Sequence, residues 1–301
     1  MSNSPKNLKR VSWLKVHGAL LTVALIYGSN YSIAKVAMNA LPPFALVFVR
    51  IVVAGSLFWV LHQFTLREKI QSKKDFGLLA ICGLFGVAIN QIMFLYGLDL
   101  TTSINSSVIM TTTPILVLII SSILIGEKIT LQKGIGVVLG GLGAIMLIGG
   151  LDFEFSSSNA KGDLFILINA ISYGLYLVFV KPLMKKYQTL TVVKWIFLFG
   201  FLIAFPFTWQ DFASVSWSEL NWEAWASLSF VVLGATFSVY ILNGWALQYV
   251  NPSVVGVYIY IQPVLATLIA LYFGQGELTL TKVGFAGLIF IGVFLVIRKK
   301  K

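Results

Sequence analysis

Residues 111–130 read TTTPILVLIISSILIGEKIT, and residues 260–279 read YIQPVLATLIALYFGQGELT. Each stretch places a polar residue before a proline, then an apolar run, then Gly-Glu and a threonine. Pro114 stands 13 residues before Glu127, and Pro263 stands 14 before Glu277. The agreement extends outward. Gly134 follows Glu127 by seven residues, as Gly284 follows Glu277. Tyr27-Gly28 precedes Lys35 with the spacing by which Tyr173-Gly174 precedes Lys181. The chain therefore carries the same passage twice, about 150 residues apart.

The composition says where such a passage can live. Of 301 residues, 58% are hydrophobic and 11% charged, and mean hydropathy is +0.89. Soluble domains carry about 25% charged residues, so the chain reads as a polytopic membrane protein. A net charge of +11 could point to nucleic acid, but the cations sit in short loops and tails between apolar runs. Nucleic acid is excluded as a partner, and the lipid bilayer takes its place. The single cysteine, Cys82, lies in an apolar run and offers no disulfide framework. The basic N-terminus leads into an apolar run without a clean small-residue cleavage site, which fits an uncleaved first span.

About 20 apolar residues cross a bilayer. Ten segments fit, near 14–34, 44–64, 76–97, 104–125, 134–151, 162–181, 191–208, 224–247, 253–273 and 283–297. The runs are continuous rather than alternating, so they read as helices, not barrel strands. With an internal N-terminus, 17 of the 22 Lys and Arg fall in inner segments and three in outer loops. Positive charge accumulates on the cytoplasmic side, so both termini are expected there, in a multi-pass inner (plasma) membrane protein. The repeat splits the chain into residues 1–151 and 152–301, five spans each. Five is odd, so the second half inserts upside down. Inverted repeats of this kind build many secondary transporters. The expected fold is all-α: ten transmembrane helices as two inverted five-helix repeats.

Ten spans, two halves and the paired Pro…Gly-Glu…Thr…Gly pattern resemble the EamA-type family of the drug/metabolite transporter superfamily. The FVRIVVAG stretch around Arg50 is similar to that family's second span. The resemblance covers essentially the whole chain and implies a permease or exporter of metabolites. It says little of the substrate, because members move amino acids, sugars, nucleotide precursors, cofactors or drugs. The small four-span multidrug branch depends on a membrane-embedded glutamate in its first span. This sequence has none there, so that proton-coupled mechanism does not carry over.

The residues suggest where a solute would sit. Pro114 and Pro263 lie near mid-span and leave the carbonyls of Met110 and Ile259 without an intrahelical partner. Such a helix break is either a kink satisfied by neighbouring groups or the wall of a cavity. Amide and aromatic side chains gather at similar depth on several spans: Asn30, Tyr31, Asn90, Gln91, Thr112, Tyr173, Tyr176, Asn243, Trp245, Tyr258 and Gln262. They are candidate substrate-binding residues. The competing reading is hydrogen bonding between helices, worth about 0.6 kcal/mol each. No Asp or Glu sits in mid-span, so a neutral or zwitterionic small molecule, such as an amino acid, fits better than a cation. Without a carboxylate relay, downhill export is favoured over proton coupling.

Arg50 and Lys194 are the charged exceptions inside spans, at matching places in the two halves. They either snorkel to the headgroups or, for Arg50, meet a carboxylate or phosphate of the substrate. Lys35 with Glu277, and Lys181 with Glu127, form corresponding pairs at opposite faces. They are candidate gate latches, with structural capping as the alternative. Gly136, Gly140, Gly143, Gly284, Gly287 and Gly292 put small faces on spans 5 and 10, for packing within one monomer or in a homodimer. GIGVVLGG has the wrong spacing for a dinucleotide site, and no phosphate-binding loop appears, so no cofactor is expected. His17 and His62 lie far apart and read as interfacial, not as metal ligands. An integral-membrane enzyme would need a convergent set of His, Asp, Glu or Cys, which the spans lack. A lipid or amphipathic drug flippase is the closer rival.

Overall fold

The computed structural model describes residues 12–148, 160–265 and 280–298, and the regular structure among them is entirely helical. The helices are α1 (Trp13–Met38), α2 (Pro43–Thr65), α3 (Lys73–Leu100), α4 in two pieces (Ser103–Met110 and Thr113–Ile125), α5 (Leu131–Ile148), α6 (Ala160–Lys186), α7 (Thr189–Ala213), α8 (Trp222–Leu247), α9 (Pro252–Leu265) and α10 (Leu280–Ile297).

Sequence signals at the helix ends match these bounds. Pro43 opens α2 and Pro252 opens α9, where a missing N–H costs nothing. The Thr102 hydroxyl accepts from the Asn105 N–H at 3.0 Å to cap α4, and Asn221 Oδ1 accepts from the Ala224 N–H at 2.8 Å to cap α8. Gly126 ends α4 with φ of 68°, and the following Glu127 N–H reaches back to the Ser121 carbonyl. Only a residue at ease in left-handed backbone closes a helix this way.

Six described helices, α2, α3, α4, α6, α7 and α8, are long and apolar enough to cross a membrane. The apolar stretches of α5, α9 and α10 are shorter. The expected spans 5 and 9 run on to residues 151 and 273, beyond the described residues. α1 has the length, with 26 residues, but is less apolar. Its Gly-Ser-Asn-Tyr-Ser run, residues 28–32, spends hydropathy on polar side chains.

Packing follows a pairwise plan. The most extensive contacts join α5 with α10, α2 with α7, and α3 with α6; α1 packs on α8, and α4 lies between α6 and α9. The α5–α10 pair meets backbone to backbone. A Cβ added at Gly136 would lie 2.7 Å from the Gly292 carbonyl oxygen, and one at Gly292 would lie 2.5 Å from the Gly140 nitrogen. Gly143 is equally close to the Phe285 carbonyl, at 2.9 Å, whereas Gly284 and Gly287 face open space. The expected glycine face thus packs inside the monomer over part of its length.

Two features have no counterpart in the sequence reading. Within α3, Leu84–Ala88 forms a π-helical segment; within α8, Phe230–Ser238 does the same. Each lies in the helix just before the one that carries Pro114 or Pro263.

Candidate functional site

The broken helices open onto a cavity of about 50 Å³. α1 contributes Tyr27, Asn30 and Tyr31, and α3 contributes Asn90, Gln91 and Phe94. Both sets follow the three-to-four-residue period of one helix face. Arg50 enters from α2, Asn169 and Tyr173 from α6, and Tyr240 from α8. Met110 and Ile259 complete the wall with Gln262. These two are the residues whose carbonyls the prolines leave without an N–H. A small adjoining void of about 10 Å³ adds Asn243 and Tyr258. Among the described residues, α5, α7 and α10 supply no wall residue.

In α4 the break is stitched locally. The Thr111 and Thr112 hydroxyls donate to the carbonyls of Val108 and Ile109, at 2.6 and 2.7 Å, while their N–H groups close tight turns to the same oxygens. In α9 the turn Tyr258–Tyr260 winds as a 3₁₀ helix just before Pro263. A kinked helix therefore meets the cavity from each repeated passage.

The π segments set the polar framework of the wall. An i→i+5 turn leaves carbonyls free for other donors and is frequent at functional sites. Tyr240 OH donates to the Gly86 carbonyl in the α3 segment, and Ser172 Oγ donates to the Phe85 carbonyl at 2.6 Å. In the α8 segment the Thr236 hydroxyl donates to the Val231 carbonyl at 2.8 Å. With its proton so committed, Thr236 Oγ1 accepts from Arg50 Nε at 2.8 Å. Arg50 is only 4% exposed. Its Nη1 is buried without a partner, as are Asn30 Oδ1 and Asn169 Oδ1. Asn169 is oriented by its Nδ2, which donates to the Asn90 carbonyl at 2.7 Å. Among the described residues, no carboxylate lines the cavity.

The structure sorts the expected residues. Asn30, Tyr31, Asn90, Gln91, Tyr173 and Gln262 meet at the cavity, and Tyr31 OH lies 3.4 Å from Gln262 Oε1. Asn243 Nδ2 donates to Tyr173 OH at 3.1 Å beside the adjoining void. Three others do different work. Thr112 is turned back on its own helix. Tyr176 packs its ring against Gly86, where an added Cβ would sit 2.3 Å from it. Trp245 stands edge-on to Tyr249, ring centroids 5.3 Å apart, away from the wall. Tyr27, Phe94, Asn169 and Tyr240 were absent from the expected set. The period of Asn30 and Tyr31, of Asn90, and of Tyr173 points to the first three.

The charged residues also find partners of their own. Lys35 Nζ donates to the Thr101 carbonyl at 2.9 Å, at the α3–α4 corner. Lys181 Nζ donates to the Leu247 and Val250 carbonyls at the α8–α9 corner. Each lysine thus neutralises orphan carbonyls at a helix C-terminus, where the dipole is negative. The expected Lys181–Glu127 latch is not made. Glu127 instead pairs with Lys133 at 2.6 Å, one turn into α5, and accepts from the Ser253 hydroxyl. Glu277, and with it the Lys35 latch, lies outside the described residues. Lys194 Nζ lies 3.0 Å from His62 Nδ1 and 4.7 Å from the Trp59 ring centre. His17 Nδ1 meets Tyr258 OH at 2.6 Å, so neither histidine is merely interfacial. Between α6 and α7, Tyr187 OH donates to Asp75 at 2.6 Å, and burial with that bond raises its pKa.

Asp163, at the start of α6, accepts from Thr101 Oγ1 at 2.6 Å and faces Asn105 Nδ2 at 3.4 Å. At the Lys181 end, a basin of about 530 Å³ gathers Lys128, Lys133, Lys181 and Lys185 around Glu127.

Against known proteins, residues 14–149 and again 160–298 match the EamA-like transporter family. The chain is 28% identical over 280 residues to an uncharacterized transporter of Archaeoglobus fulgidus, covering 93% of this chain and 97% of that protein. It is 28% identical over 291 residues to the uncharacterized transporter YoaV of Bacillus subtilis, covering 94% and 96%. A crystal structure superposes with a TM-score of 0.76 over 95% of this chain and 97% of the other, at 20% identity. That likeness concerns the fold alone.

Proposed function

As a member of the EamA-like transporter family, this chain is a membrane transporter, and we propose that it moves small neutral or zwitterionic metabolites, amino acids foremost, by alternating access. The observation that carries the substrate reading is the cavity. It is walled by amides, phenols and one guanidinium, with no described carboxylate to select a cation.

The packing plan supports two inverted halves. If helix n of the first half corresponds to helix n+5 of the second, the contacts α2–α7, α4–α9 and α5–α10 join equivalent helices. The contacts α3–α6 and α8–α1 are then equivalent to each other. That correspondence is the support for reading the chain as ten spans. The distribution of Lys and Arg supports a plasma-membrane protein with both termini on the cytoplasmic side.

Alternating access requires contacts between the halves that part in turn. Two such contacts are on hand. Asp163 of the second half grips Thr101 and Asn105 of the first, and His17 of the first meets Tyr258 of the second. Both are made here, which suits a form closed at either end of the small cavity. In the form described, these two clasps stand where the Lys181–Glu127 pair was expected to act.

One feature favours a flippase. An apolar groove of about 370 Å³ between α2 and α7, lined by Ile51, Gly55, Trp59, Phe197 and Phe201, lies on the outer surface of the bundle. Among its described lining residues it holds no amide and no charge, and only the Ser56 hydroxyl and the Trp59 indole could meet a polar headgroup.

Counterflow in liposomes tests the reading. Vesicles loaded with single unlabelled amino acids should take up the labelled solute, and Gln262→Trp should abolish uptake by filling the cavity. Lipid scrambling without exchange of any small solute would hand the function to the flippase reading.

A further inference from the structure

We propose that Arg50 is the anchor for a solute carboxylate, held in place by Thr236, so that the substrates are acids with an ammonium group rather than neutral sugars or amines. This rests on the transport reading and narrows it.

A guanidinium buried in a membrane bundle needs an anion or a full set of acceptors. Arg50 Nε has one acceptor, Thr236 Oγ1, and Nη1 has none. The described carboxylates lie at helix ends and loops, away from the cavity, as Asp163 and Glu127 illustrate. The planar fork of an arginine matches a carboxylate with two parallel hydrogen bonds. A solute carboxylate thus supplies what the wall withholds.

Thr236 fixes the direction of the fork. Its one proton is given to Val231 across the π turn, so its oxygen can only accept. That leaves the Nη edge of Arg50 as the part available to a ligand. Asn30 Oδ1 and Asn169 Oδ1 are unpaired acceptors on two other walls. Asn169 cannot exchange its oxygen for nitrogen without losing its bond to the Asn90 carbonyl. Both suit an ammonium, with the faces of Tyr31 and Tyr173 nearby in the same wall. The lysine basin at one end of the bundle would raise the local concentration of acids.

The test is competition for counterflow. Unlabelled L-alanine, L-leucine and L-phenylalanine, each against its carboxamide, compete for entry of the labelled acid into proteoliposomes. In the unmodified protein the acid should compete at least tenfold better than its amide. Arg50→Gln should bring that ratio to about one, Arg50→Lys should retain part of it, and Lys194→Gln should leave it unchanged. Thr236→Val should lower the ratio severalfold and Thr236→Ser should restore it, a rescue that a packing role alone would not show. The ratio in the unmodified protein needs no variant, and the Thr236 pair probes the same bond should Arg50→Gln fail to reach the membrane. An acid-to-amide ratio near one, or a ratio that survives Arg50→Gln, overturns the anchor. Exchange of sugars or amines but of no acid also overturns it and leaves transport standing. Exchange of nothing at all removes the transport reading and the anchor together.

Discussion

Arg50 and Lys194 occupy matching helices that pack on each other, and both are almost fully buried cations. Their surroundings differ completely. Lys194 is enclosed by its own fold: His62 Nδ1 accepts from it, Trp59 and Trp195 present their rings, and His62 Nε2 passes the bond on to Thr191. With Lys194 protonated, the His62 nitrogen facing it is the acceptor and the ring proton lies toward Thr191. Arg50 has a single side-chain acceptor and an unpaired edge toward the cavity. A buried cation is thus a mark of function only when the fold fails to satisfy it. Burial alone says nothing.

The comparison breaks first at Arg50. Arg50→Gln should cut counterflow of acidic solutes about 100-fold, as expected for a charge-assisted pair worth about 1.5–3 kcal/mol, whereas Lys194→Gln should leave the rate within about twofold. Equal losses at both sites would erase the distinction. Thr236→Val comes next, with a severalfold loss in apparent affinity for acids and little change for their amides, read from the same competition curves. The smallest effect belongs to Lys194 itself. Lys194→Gln should lower stability by about 1 kcal/mol, the scale of one cation–π contact, seen as a shift of a few degrees in a detergent melting curve. No shift at all would mean that the His62–Trp59 enclosure holds nothing.

Much of this molecule can be read before any coordinates. Apolar runs mark the helices, and Pro43, Thr102, Gly126 and Asn221 mark their ends, because span length and capping are local properties. The paired prolines point to Met110 and Ile259 at the cavity wall for the same reason. The two π segments are not local. They arise where Tyr240, Ser172 and Arg50 pull on backbone or hydroxyl groups from other helices, and no spacing announces that. The Lys181–Glu127 pair is not made in this form because Lys181 finds helix-end carbonyls nearer in space; Lys35 likewise binds the Thr101 carbonyl, and its expected partner Glu277 lies outside the described residues. Tyr176 and Trp245 carry polar tips, yet their rings are needed as filling.

The glycine contact between α5 and α10 has a mechanical side. Around Gly136, Gly140, Gly143 and Gly292 the two helices touch through bare backbone, with the small notches filled by Leu295, Val296 and Ile289, and among the described residues neither helix lends a group to the cavity. They form a bearing, separate from the seat of the solute. A methyl group at Gly292 would wedge that bearing, so Gly292→Ala should slow turnover while the acid-to-amide ratio stays as it was; an unaltered turnover number would show that the halves rock about some other line.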